Sequence, residues 1–240
     1  IDAFDVTYQE TSIYGSGKIE DLEEVIIDLN AKEFDLSLVD QLPKELDLKG
    51  KVKLDGQLKG KLTSPTFNGI VSSDSLEYDQ ISIEQLSVLI KYEENSLFIK
   101  PMKMINGDNE YTLIGEIIFD QKMLDMRVRT KHANVDELFK FANLPIRDLG
   151  YIMDGELLIS GNFKNPLIEV DAIFSDNGNG KLKLAGNYDF VYGLDVRAKG
   201  QNFDLSSLNK YIPGKEFPYT LDGRMTVKGD LKDPESKLDI

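Results

Sequence analysis

Leu46-Asp47-Leu48-Lys49-Gly50-Lys51-Val52-Lys53-Leu54-Asp55-Gly56-Gln57-Leu58-Lys59-Gly60-Lys61-Leu62-Thr63 alternates almost without a break. Leucine, valine and glycine hold the even positions; aspartate, lysine, glutamine and the closing threonine hold the odd ones. A period of two puts each set on its own face of a pleated strand, one dry and one wet. At about 3.3 Å per residue the stretch would reach roughly 55 Å if straight, beyond the usual strand of about 5–6 residues. Bends are therefore expected at its glycines.

The same alternation returns at Leu124-Met126-Val128, Leu182-Leu184-Gly186-Tyr188-Phe190, Leu194-Val196-Ala198 and Tyr219-Leu221-Gly223-Met225-Val227-Gly229-Leu231. Nearly the whole chain reads as antiparallel-type strands with one apolar face. Between Ile81 and Val88 the apolar parity slips by one, which predicts a bulge near Glu84 and Gln85. Turns are predicted at Asn68-Gly69, Asn106-Gly107-Asp108, Asn177-Gly178-Asn179-Gly180 and Pro213-Gly214. The best helical pattern is Val135 to Ala142, with Val135, Leu138, Phe139 and Ala142 at i, i+3, i+4, i+7. Asn134 and Glu137 suit a capping box, and Pro145 ends the run.

An internal repeat organises these strands. Asp154-Gly155 through Pro166 aligns without gaps on Asp222-Gly223 through Pro234, an offset of 222 − 154 = 68. Asn134-Val135-Asp136 through Pro145 aligns on Asn202-Phe203-Asp204 through Pro213 at the same offset, 203 − 135 = 68. A more divergent copy runs from Phe34-Asp35-Leu36 to Pro43, then from Gly60 to Pro65. Gly60, Gly161 and Gly229 each stand five residues before a proline. Units of this kind stack by edge pairing and extend a sheet along one axis. The expected fold is all-β: one continuous elongated segment over 1–240, with units near 25–124, 125–193 and a truncated 194–240.

Composition narrows the chemistry. The 240 residues carry 42 acidic and 28 basic side chains, a net charge of −14, which argues against nucleic acid as a partner. No cysteine is present and His132 is the sole histidine, so thiolate chemistry, Cys-ligated metals and His-centred dyads drop out. No nucleophile with a base is recognisable, and a non-enzyme without cofactor is expected. Apolar runs such as Val25-Ile26-Ile27 and Val88-Leu89-Ile90 are too short for a membrane helix or a signal core. The chain opens on Ile1 and closes inside an alternating run, as expected of a piece of something longer.

Weaker motifs read better as structure. Gly15-Ser16-Gly17-Lys18 lacks the first glycine and final Ser/Thr of a phosphate loop, and reads as a strand with glycines. Asp176 to Gly180 lacks the spacing of a calcium loop and reads as a hairpin turn. His132 reads as a solvated strand end. Adjacent carboxylates such as Glu23-Glu24 and Glu93-Glu94 read as solvent-facing charges. The lysine ladder Lys49, Lys51, Lys53, Lys59 and Lys61 would meet anionic head groups or, as the simpler reading, keep a long strand soluble and discourage stray edge pairing.

The "Asp-Gly-apolar-x-apolar-x-Gly-x-apolar-x-x-Pro" strand pair at Asp154–Pro166 and Asp222–Pro234 resembles the periplasmic repeats of the AsmA-like family, most closely its TamB branch. So do the preceding segments, such as Leu194 to Ala198 leading into Phe203 to Leu208. The resemblance covers most of residues 25–240. It implies an elongated, curled sheet, an open trough or β-taco with an apolar interior. It also implies a periplasmic location in a two-membraned bacterium, as part of an inner-membrane-anchored bridge that moves phospholipid and serves outer-membrane biogenesis. A barrel-assembly partner at the outer membrane would be reached through the full-length protein.

An acyl chain needs a dry surface, and each covered CH₂ contributes about 0.8 kcal/mol. The candidate lining residues are Val52, Leu54, Leu58, Leu62, Leu157, Ile159, Phe163, Leu182, Leu184, Val196, Met225, Val227 and Leu231. A sheet with one apolar face equally suits half of a filled core, and pattern alone favours that. The alternative function is then a structural β-repeat spacer of a surface or adhesive protein. Continuity of an open apolar face separates the two.

Overall fold

The computed structural model describes residues 3–8, 11–21, 23–36, 48–78, 81–141, 146–211, 220–230 and 235–239. The fold is all-β: antiparallel strands form open sheet that does not close into a barrel. The described chain divides into two compact units, residues 1–107 with 112–122 and residues 108–111 with 123–240.

The first unit holds β1 (Phe4–Tyr8), β2 (Thr11–Glu20), β3 (Glu24–Asp35), β4 (Leu48–Lys61), β5 (Ser64–Ser73), β6 (Leu76–Tyr78), β7 (Ile81–Ile83), β8 (Gln85–Glu93) and β9 (Ser96–Asn106). β10 (Asn109–Ile118) begins in the second unit and continues in the first. Antiparallel pairing runs β1 to β2 to β3 to β4 to β5 to β8 to β9. Gly15 to Lys18 lies inside β2, as its apolar surroundings predict. Leu48–Lys61 of the long alternating stretch form β4, and Gly50 and Gly60 within it have φ of 123° and 114°.

The strands depart from the sequence pattern at Glu84 and at Asn68-Gly69. The parity slip at Glu84 is a break between strands: β7 pairs β6, which pairs the start of β4, whereas β8 pairs β5 and β9. The chain changes partners at Glu84, and the apolar parity changes with it: Ile81 and Ile83 are buried, Leu86 and Val88 half-buried. A true bulge lies nearby, where Val88 faces Met102 and Ile90 faces Ile99. Three residues of β9 then span two of β8, and Pro101, which has no N–H to give a ladder, sits in the irregular step.

Asn68-Gly69, predicted as a turn, lies in the middle of β5. Gly69 faces Gly56 across the sheet, and the Phe67 ring covers both. A Cβ built on Gly56 would stand 2.7 Å from the tip of that ring, and one on Gly69 2.8 Å. The glycine is there to admit an aromatic ring, and the local Asn-Gly turn preference yields to it.

The second unit is a meander: β11 (Met123–Asn134), α1 (Val135–Phe141), β12 (Ile152–Asn162), β13 (Asn165–Ser175), β14 (Lys181–Asp189), β15 (Gly193–Asp204), a 3-10 turn at Ser206–Leu208, β16 (Thr220–Gly229) and β17 (Glu235–Asp239). Each strand pairs antiparallel with the next. The helix forms as predicted. Asn134 Oδ1 accepts from the N–H groups of Asp136 at 2.8 Å and Glu137 at 3.4 Å. The Glu137 carboxylate accepts from the Tyr111 hydroxyl at 2.9 Å. Burial and the charge of Glu137 together push the Tyr111 phenol well above its usual range.

The repeat is structural. The glycines that precede each proline, Gly60, Gly161 and Gly229, have φ of 114°, 101° and 98°, a region that side chains other than glycine rarely enter. Asp154 of the Asp-Gly motif accepts the N–H of His132 at 2.8 Å, within the register shift between Thr130 and Ala133. His132, exposed, has φ of 58° there, and Asn202 has φ of 51° in the matching shift between Gly200 and Phe203. This matching revises one alignment. Asn134 corresponds to Asp204, whose Oδ1 accepts from Ser206 N, so the offset is 204 − 134 = 70 rather than 68. Pro145, Pro213-Gly214 and Pro234 lie outside the described residues.

Candidate functional site: the apolar sheet face

Cross-strand partners in the second unit assemble the apolar parity into rows. One row runs Val128, Leu157, Val170, Gly186, Val196, Val227. The next runs Met126, Ile159, Ile168, Tyr188, Leu194, Gly229. Six strands thus cross without a charged residue on this face. Direct partners of this kind contribute about 0.2–1 kcal/mol each. All twelve residues are only half-buried.

Towards the α1 end the face becomes a filled core. The row Thr130, Gly155, Ala172, Leu184, Ala198, Met225 is partly closed, with Thr130, Ala172 and Ala198 buried. The row Met153, Phe174, Leu182, Gly200 goes deeper still. Val135, Leu149, Tyr151, Phe203, Leu205 and Leu221 complete the cluster, and Leu138, Phe139, Leu208 and Tyr211 cover it. Polar links fix this plug. Asp136 accepts the N–H groups of Leu149 and Gly150, each at 2.9 Å, and the Tyr151 hydroxyl donates to the Asp204 carbonyl at 2.7 Å. The Arg147 N–H donates to the Tyr211 hydroxyl at 2.8 Å, and that hydroxyl donates back to the Arg147 carbonyl.

The first unit repeats the arrangement. Ile27, Leu58, Phe67, Tyr92 and Leu97 make one row; Ile13, Ala31, Leu54, Val71, Val88 and Met102 make another. Most of these are half-buried, Ala31 is buried and Tyr92 is exposed.

The opposite face carries charge. Arg129 pairs with Glu156 at 2.7 Å, Arg127 with the same carboxylate at 3.4 Å, and Lys228 with Asp195 at 2.8 Å. The hydrogen bond from Lys228 holds the Asp195 carboxyl below its usual value. In the lysine ladder, Lys51 reaches Glu33 at 3.2 Å and Lys53 reaches Asp74 at 2.6 Å, both on neighbouring segments. These exposed pairs are each worth about 0–1 kcal/mol. Among the described residues no cluster of metal-ligating side chains occurs.

The predicted lining residues therefore fall into distinct environments. Leu54, Leu58, Leu157, Ile159, Val196 and Val227 lie in the half-open rows, Val196 facing Val227 directly, whereas Leu184 and Met225 lie in the partly closed row packed against the core. Val52 and Leu182 are buried and offer no open surface, and Leu182 is part of the core cluster with Met153, Phe203 and Leu205. Leu62 and Phe163 are exposed in the turns after β4 and β12, beyond the rows. Leu231 lies outside the described residues. The rows also contain Val170 and Ile168, where Leu167 and Ile173 on the other parity blur the alternation. Glu169 and Asp171 between them are the signal that would have placed them. Comparison with protein-family models, with curated proteins and with solved structures finds no match for this chain.

Proposed function

We propose that the chain is a segment of a bridge like those of the AsmA-like family, TamB branch, and that it holds the acyl chains of phospholipid on its apolar sheet face. The observation that carries this reading is the pair of half-buried rows through Leu157 and Ile159, free of charge across six strands. Such a surface covers methylene groups while asking for no hydrogen bonds. On this proposal the chain works in a periplasm, within a membrane-anchored protein that delivers phospholipid for outer-membrane biogenesis, with an outer-membrane assembly partner. Ile159→Asp and Leu58→Asp test it, since a carboxylate on this face is costly to desolvate. Both variants are expected to keep their strand circular dichroism and to lose uptake of a fluorescent fatty acid. Uptake equal to the parent chain in both would sink the proposal.

A second reading, a structural spacer with filled cores, draws on the cluster around Met153, Leu182 and Phe203, which is closed by the chain itself. Under that reading the parent chain takes up no fatty acid at all, and the two aspartate variants are silent in the uptake assay.

A further inference from the structure

The two rims of the second unit's sheet differ in polarity. At the α1 rim the turn between β13 and β14 is Asp176-Asn177-Gly178-Asn179-Gly180. At the other rim the β12–β13 turn presents Phe163, and the β14–β15 turn presents Phe190, Val191 and Tyr192, all exposed. Tyr192 is 84% exposed and Val191 71%, values that nothing in the unit's own core accounts for. The start of β11 adds Met123, which faces Asn162. Leu167 faces Asp189 across β13 and β14, so Asn165 stands level with Val191. With neighbouring strands about 4.8 Å apart, the two tips rise side by side about 10 Å from each other.

The tips are also preformed, with three of their backbone N–H groups held by side chains at their bases. Asp189 Oδ1 accepts from Val191 N at 2.6 Å and from Tyr192 N at 3.1 Å, and Asn162 Oδ1 accepts from Lys164 N at 3.0 Å. The rings of Tyr188 and Phe190 lie 4.8 Å apart at the base of the second tip. A turn that enters a lipid interface needs those N–H groups met internally, and aromatic side chains favour that depth. The two tips present four exposed apolar side chains, far fewer than the roughly 20–30 residues a side of a standard protein interface.

We propose that this rim docks on a lipid bilayer, its Phe163 and Phe190-Val191-Tyr192 tips entering the head-group region. The lipid is zwitterionic. A net charge of −14 opposes an anionic surface, and Lys164 is the lone cation in the two turns. The contact rests on apolar burial and is insensitive to salt. It stands apart from whatever occupies the apolar rows, whose occupancy is read by fatty-acid uptake and Ile159→Asp.

The chain contains no tryptophan, so Tyr192→Trp installs a single fluorescent reporter at the tip. With phosphatidylcholine vesicles its emission is expected to move to shorter wavelength and to be quenched by lipids brominated near the head group, equally at low and high NaCl. Adding Val191→Asp is expected to lower vesicle partition about tenfold or more, with circular dichroism unchanged because the site is exposed. Absence of both the shift and the quenching overturns the proposal. So does a shift that appears without lipid, grows with protein concentration and accompanies a larger species, which would assign the tips to contact between copies of the chain.

Discussion

The carboxylate of Asp176 collects three backbone N–H groups, from Gly178 at 2.8 Å, Gly180 at 2.7 Å and Asp204 at 2.8 Å. Its partial burial pushes the pKa up, but the N–H groups of Asp204, Gly178 and Gly180 outweigh this and hold it below the ordinary 3.8. A carboxyl lowered on folding stabilises the fold above that ordinary value, and the contribution is lost as pH falls through the folded value. The urea midpoint of the parent chain is therefore expected to fall below pH 3.8 more steeply than that of Asp176→Asn. Equal slopes would show that the three bonds do not favour the ionised form. The sequence already marked 176–180 as a hairpin turn. The bond to Asp204 was not legible, because its donor lies 28 residues away and arrives only through the pairing of β14 with β15.

At the scale of elements, α1 is short at 7 residues, so its own hydrogen bonds leave it marginal and its cap matters. Asn134→Ala removes the acceptor for Asp136 N and Glu137 N and is expected to cost about 1 kcal/mol in urea unfolding. An unchanged midpoint would mean that packing of Val135, Leu138 and Phe139 alone holds the helix. The helix and its cap were readable because both depend on neighbours in the chain. The strands were readable wherever one face is dry and the other wet, as in β4. Local pattern misleads at Asn68-Gly69 and at Glu84, where the deciding contacts are the Phe67 ring over Gly56 and the exchange of one partner strand for another. It also misplaces the counterpart of Asn134 by two residues, because the side chain that caps, not the residue type alone, sets the correspondence.

For the molecule as a whole, a net charge of −14 outweighs its exposed pairs. Raising ionic strength from about 10 mM to about 150 mM shortens the screening length from about 30 to about 8 Å. The urea midpoint is expected to rise over that range, since repulsion among distant like charges is screened more than contact pairs. A falling midpoint would give the larger weight to pairs such as Arg129–Glu156 and Lys228–Asp195. Strand class, two-faced chemistry, helix and repeat are written into the chain itself, because each is a periodicity or a short-range bond carried by adjacent residues. Which apolar residues remain half-open was decided by the tertiary structure alone. Leu157, Leu182 and Phe163 share one parity pattern in the chain, yet one lies in a half-buried row beside the core, one under the α1 plug and one on an exposed tip. Alternation assigns a side chain to a face, whereas its exposure depends on what the rest of the chain lays over that face.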